Sequence, residues 1–122
     1  MRRSLAAAAV VLATLTFATA CGSEDEPSSD SGSSDPKVIK VTIEGDTVSP
    51  NGERVEVSTG QEVQLDLTAD DAGEIHVHSS PEQELEYQAG ETTLTIKGID
   101  QPGTVDVESH ALEKVIVQLE VS

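Results

Sequence analysis

Three histidines are the residues of this chain whose type and spacing best suit chemistry. His76 and His78 lie two positions apart in a run that alternates apolar and polar residues. In a strand they would point to the same face, with Cα atoms about 6.5–7 Å apart, so that two imidazoles can converge on one ion. His110 follows a separate alternating run, and three imidazoles at one place suit Cu(II) or Zn(II). His76 and His78 occupy the polar positions of this alternating run, which equally fits surface histidines that bind no metal.

Other chemistry has weaker support in the sequence. A catalytic triad can be named from Ser79, Ser80 and His110, but with 23 acidic residues a suitable carboxylate is a matter of chance. The sequence therefore predicts a protein that is not an enzyme. A weak calcium site is another alternative, although the glycine at the sixth place of a calcium loop is absent. Its oxygen ligands would come from Asp70, Asp71, Glu82, Glu84 and Glu86.

Length and charge exclude several classes of protein. The chain has 122 residues, enough for one small domain, and its formal net charge is −16. So acidic a chain repels phosphate, which excludes nucleic acid as a partner. One cysteine permits neither an intrachain disulfide nor a thiolate zinc cluster. With one Tyr, one Phe and no Trp, the chain also lacks a stacking platform for bases or sugars.

Residues 1–20 are typical of an export signal. Arg2 and Arg3 precede an apolar run that is too short for a convincing membrane span, and small residues lead to the only cysteine, Cys21. That placement resembles the lipobox of bacterial lipoproteins, whose cysteine receives a diacylglyceryl group and becomes the mature N-terminus. Two or more acyl chains hold a protein stably on a membrane. A cleaved secretory signal with a free Cys21, and export by the twin-arginine route, are the alternatives.

The segment that follows is predicted to be a tether. Residues 22–36 contain no aliphatic or aromatic side chain and five acids, so they cannot bury enough surface to fold. Together with Cys21 they form a linker, 21–36, that reaches at most about 50 Å. The predicted location is the outer face of the bacterial cytoplasmic membrane, with the membrane itself as the partner through Cys21.

Residues 37–122 are predicted to form one all-β domain. Apolar and polar residues alternate along successive short runs, Gly-, Pro- and Asn-rich turns separate them, and no stretch has helical periodicity. Seven or eight short strands in so few residues indicate a β-sandwich. The clearest runs are those around Ile39–Ile43, Val55–Val57, Val63–Leu67, Ile75–Val77, Leu94–Ile96, Val105–Val107 and Val115–Val121, with a further short strand near Leu85.

This order of strands and turns resembles the cupredoxin-like domains of small lipoproteins of actinobacterial type. The resemblance implies a Greek-key β-sandwich and, in blue-copper relatives, a copper held by two His, a Cys and a Met. His76 or His78 would match the early histidine and His110 the C-terminal ligand region. The matching segments are 49–50, 54–63, 74–78, 89–91, 101–110 and 118–121.

The differences between this sequence and the blue-copper relatives decide which kind of metal site is predicted. The domain has neither Cys nor Met, and Val107 and Glu108 lie where the thiolate would fall, which excludes a blue-copper site. A thiolate-free Cu(II) site of His76, His78 and His110 is what remains, with Glu108 orienting an imidazole. The alternative is a metal-free domain that binds a protein partner in the cell envelope.

Overall fold

The computed structural model describes residues 35–122, which form nine strands. The predicted export signal, Cys21 and most of the linker lie outside these residues. Within 35–122 there is no helix long and apolar enough to cross a bilayer. The strands are β1 (Lys37–Glu44), β2 (Thr47–Ser49), β3 (Glu53–Val57), β4 (Val63–Ala69), β5 (Gly73–Val77), β6 (Gln83–Tyr87), β7 (Gly90–Ile96), β8 (Gly103–Ser109) and β9 (Lys114–Val121).

The nine strands form two sheets that enclose one core. The first has the order β2-β1-β4-β7 and the second the order β3-β9-β8-β5-β6. Two pairs, β1 with β4 and β3 with β9, are parallel, and the remaining pairs are antiparallel. The all-β prediction is confirmed, with one strand more than the seven or eight expected. The very short β2 was missed because only Val48 of its three residues is buried.

Alternation along the strands determines which side chains fill the core. In β5, Ile75 and Val77 are fully buried, which turns the residues between and beside them to the outer face of the second sheet. In β8, Val107 and Ser109 are buried in the same way. Ser109 is the one buried polar residue of the described chain, and its hydroxyl has no hydrogen-bond partner there.

Strand β9 departs from strict alternation. The sequence predicted Val115, Val117, Leu119 and Val121 on one face, but Val115 is only half-buried whereas Ile116 is fully buried. The pairing of β8 with β9 shifts in register beside Val107 and Glu108, so that Ile116 is an extra residue on β9. A bulge of this kind turns the bulged strand locally. It lies next to the end of β8 that carries Glu108 and leads to His110.

Candidate metal centre

The histidines lie on the outer face of the second sheet, where β6, β5 and β8 run side by side. His76 is the outward residue between Ile75 and Val77 of β5. Its register partners are Glu84 on β6 and Glu108 on β8, so carboxylates flank the imidazole on both neighbouring strands. Strand pairing therefore places His76 at the centre of an acidic surface, which favours cations over anions.

His110 is brought to His76 by the end of β8. Its backbone N–H donates to the carbonyl oxygen of Glu74 at 3.0 Å, which ties the residue after β8 to the start of β5. The two imidazoles are stacked, with ring centroids 4.4 Å apart and planes inclined by 28°. Two of the three predicted ligands therefore lie side by side.

His76 contacts carboxylates through both of its ring nitrogens. Nε2 pairs with Oε1 of Glu74, and Nδ1 lies 3.6 Å from Oε1 of Glu82. The hydrogen bond to Glu74 raises the pKa of His76 above its ordinary value; partial burial opposes the rise, and the charges of Glu74, Glu84 and Glu82 add to it. His76 thus keeps a proton to a higher pH than an ordinary imidazole, and a cation must compete with that proton.

His78 has a different environment. Its Nε2 lies 3.0 Å from Oε2 of Glu108, and its ring centroid is 6.3 Å from that of His76 with the planes inclined by 72°. Its backbone N–H donates to Asp106 at 2.9 Å, so the main chain there is fixed. Glu108 thus contacts an imidazole, that of His78. A role for His78 as a third ligand stays a prediction.

Two groups of donor atoms among the described residues could hold a cation. Glu74, His76 and His110 form one, and His76, Glu82 and Glu84 the other; in each group the ligand atoms lie within 4.8 Å of one another. Metal–ligand bonds of about 2.0–2.2 Å require donor atoms on opposite sides of an ion to lie slightly closer together than this limit. Rotation of the side chains can bring the donor atoms that much closer.

The carboxylate ligands were missed as transition-metal ligands in the sequence, although one signal was present. Glu74 lies two residues before His76 in the same run, so a strand would place both side chains on one face, and this could have been predicted. Glu82 and Glu84 had been considered only as calcium ligands. Their approach to His76 depends on the pairing of β5 with β6, which the sequence does not state.

Comparison with solved structures supports the fold. No protein-family model matches the sequence, and no curated protein does either. A solved structure of a multi-copper oxidase from Pediococcus acidilactici matches at a TM-score of 0.52 and 15% identity, over 75% of this chain and 27% of the oxidase chain. A laccase from the same organism gives 0.50 and 14%, over 72% and 27% of the two chains.

The domain has a cupredoxin-like fold. A reduced mutant of amicyanin also appears among the solved structures, at a TM-score of 0.48 and 12% identity, covering 70% of this chain and 82% of amicyanin. The two-sheet architecture and its likeness to the oxidase and laccase structures confirm the cupredoxin-like sandwich that the order of strands and turns resembled. This chain spans only about a quarter of the oxidase and laccase chains that it matches.

The donor atoms of this domain do not fit the thiolate copper site of blue-copper proteins. The single Cys and the single Met of the chain are residues 21 and 1, which are not among the described residues, and the position predicted for the thiolate includes the buried Val107. Imidazole nitrogens with carboxylate oxygens instead suit divalent ions such as Cu(II) and Zn(II). The clustered residues therefore fit Cu(II), and they do not fit a blue-copper centre.

Proposed function

We propose that this protein is a lipid-anchored, non-enzymatic binding protein for Cu(II) on the outer face of the bacterial cytoplasmic membrane. The observation that carries the proposal is the cluster of Glu74, His76 and His110, whose ligand atoms lie within 4.8 Å of one another. The cupredoxin-like fold supports copper as the ion. The metal-free envelope domain is the alternative, in which the same face would serve a protein partner.

The residues of the cluster have distinct tasks in this proposal. His76 and His110 supply nitrogen ligands, and Glu74 supplies an oxygen ligand whose charge reduces that of the ion. Glu74 and His76 are positioned by the alternation of β5, which turns both side chains to the outer face of the sheet. His110 is positioned by the hydrogen bond from its backbone N–H to the Glu74 carbonyl oxygen. Bound copper would supply affinity for further ligands and one-electron chemistry. Glu108 holds the imidazole of His78 beside the cluster.

The surroundings of the histidines support a binding role over catalysis. Ser79, one of the two serines considered as nucleophiles, donates its hydroxyl hydrogen to the Pro81 carbonyl at 2.8 Å. The proposal therefore assigns no reaction to this face.

A Cu(II) titration of the purified full chain tests the metal proposal. It is made with the Cys21→Ser substitution, so that a free thiol neither binds nor reduces copper. We expect one equivalent bound more tightly than about 1 μM at pH 7.5, with nitrogen hyperfine structure in electron paramagnetic resonance. At about pH 5.5 the affinity should fall at least about tenfold, because Glu74 raises the pKa of His76 and the protonated imidazole cannot bind the ion. Absence of binding would contradict the proposal and favour the metal-free domain.

Lipid anchoring is tested separately by cell fractionation. Because Cys21 would carry the acyl chains, the wild-type protein is expected in the membrane fraction and a Cys21→Ser variant in the soluble extracytoplasmic fraction. A Ser23→Ala variant is the matched control and should stay with the membrane. Retention of the Cys21→Ser protein in the membrane would indicate that another segment holds it there.

A further inference from the structure

The two ring nitrogens of His76 face two different sets of ligands. Nε2 pairs with Glu74, the residue that is grouped with His110, whereas Nδ1 lies 3.6 Å from Oε1 of Glu82, which is grouped with Glu84. A neutral imidazole has one lone pair, because its other nitrogen carries a proton. The ring can therefore bind a cation on one side at a time.

The two sides differ in both chemistry and exposure. The inner position, formed by Glu74, His76 and His110, offers two nitrogens and one carboxylate. The outer position, formed by His76, Glu82 and Glu84, offers one nitrogen and two carboxylates. Side-chain exposure is 28% for Glu74 but 48% for Glu82. Nitrogen ligands favour Cu(II) more than carboxylates do, so the inner position should be the tighter one.

We propose that a divalent cation exchanges between these two positions. It is captured at the outer position, by Nδ1 of His76, and is then bound at the inner position, by Nε2 of the same ring. This inference rests on the proposed function. The exposed pair Glu82 and Glu84 attracts the hydrated ion, and the transfer needs only a change of tautomer, in which the ring proton moves by way of solvent from one nitrogen to the other. One N–H bond of His76 is broken and one is formed, and the ion exchanges its bonds to Glu82 and Glu84 for bonds to Glu74 and His110.

The test compares Glu82→Gln/Glu84→Gln with the wild-type protein, again with Cys21→Ser. The matched control is Glu53→Gln/Glu91→Gln, which removes the same charge from exposed residues on β3 and β7. Electron paramagnetic resonance at one equivalent of Cu(II) should show two species in the wild type, a major one with more nitrogen ligands and a minor one with fewer. The Glu82/Glu84 double variant should lose the species with fewer nitrogens. Its rate of Cu(II) association should fall about tenfold relative to the control variant.

Two results would overturn the proposal in distinguishable ways. A single copper species in the wild type, together with equal association rates in the two double variants, would remove the outer position and leave the Cu(II)-binding function in place. No Cu(II) binding by the wild type would remove the proposed function and this inference with it. In the supporting case, a His110→Ala variant should retain only the species with fewer nitrogens.

Discussion

Replacing His76 by alanine is expected to lower the affinity for Cu(II) by at least about 100-fold. Loss of a residue that merely orients a ligand typically costs about 10- to 100-fold, and loss of a direct ligand should cost at least as much. His76 belongs to both groups of donor atoms, so no other residue of the face can replace it. Isothermal titration with Cu(II) at neutral pH measures the effect.

The other two histidines are the controls for this prediction. His110→Ala should weaken binding strongly, but less than His76→Ala, because the position with Glu82 and Glu84 does not use His110. His78→Ala should cost less than about tenfold, since the imidazole of His78 pairs with Glu108 and lies outside both groups. Equal and large losses in all three variants would instead indicate the three-histidine site predicted from the sequence. Wild-type affinity in His76→Ala would contradict both arrangements.

Replacing Gly98 by alanine is expected to lower the free energy of unfolding by about 3 kcal/mol. A Cβ at this position would lie 2.6 Å from the carbonyl carbon of Gly60 and 2.9 Å from its Cα. The Gly60 backbone cannot easily withdraw, because its N–H donates to the Ile99 carbonyl at 2.9 Å. Ile99 is itself part of the core. Urea denaturation of the metal-free protein measures the change.

Gly52→Ala is the matched control for the Gly98 prediction. Gly52 has a φ of 71°, and a Cβ there would meet nothing within 4 Å, so the substitution introduces backbone strain without a clash. We expect it to cost about 1 kcal/mol. If Gly98→Ala costs no more than the control, the chain from β7 to β8 does not pack against the Gly60 turn as described.

The class of fold and the imidazoles proposed as ligands follow from local properties of the sequence. Alternation with a period of two predicted that Ile75 and Val77 point inward and His76 outward, because side chains of a strand alternate between its faces. The absence of Cys and Met after residue 21 excluded a blue-copper centre, whatever the pairing of strands. The more specific cupredoxin-like sandwich was predicted from the resemblance of the order of strands and turns to that family.

Only the tertiary structure decided which side chains meet. His110 reaches His76 because β8 pairs with β5, and Glu82 and Glu84 reach it because β6 pairs with β5 on the other side. His78 has the strand parity of His76, yet Glu108 on β8 engages it instead. Strand pairing and register depend on contacts between distant parts of the chain, as the bulge in β9 also shows. The sequence alone thus indicated imidazoles as candidate ligands and the face that carries His76, whereas the grouping of His110 and the carboxylates around His76 required the register of three neighbouring strands.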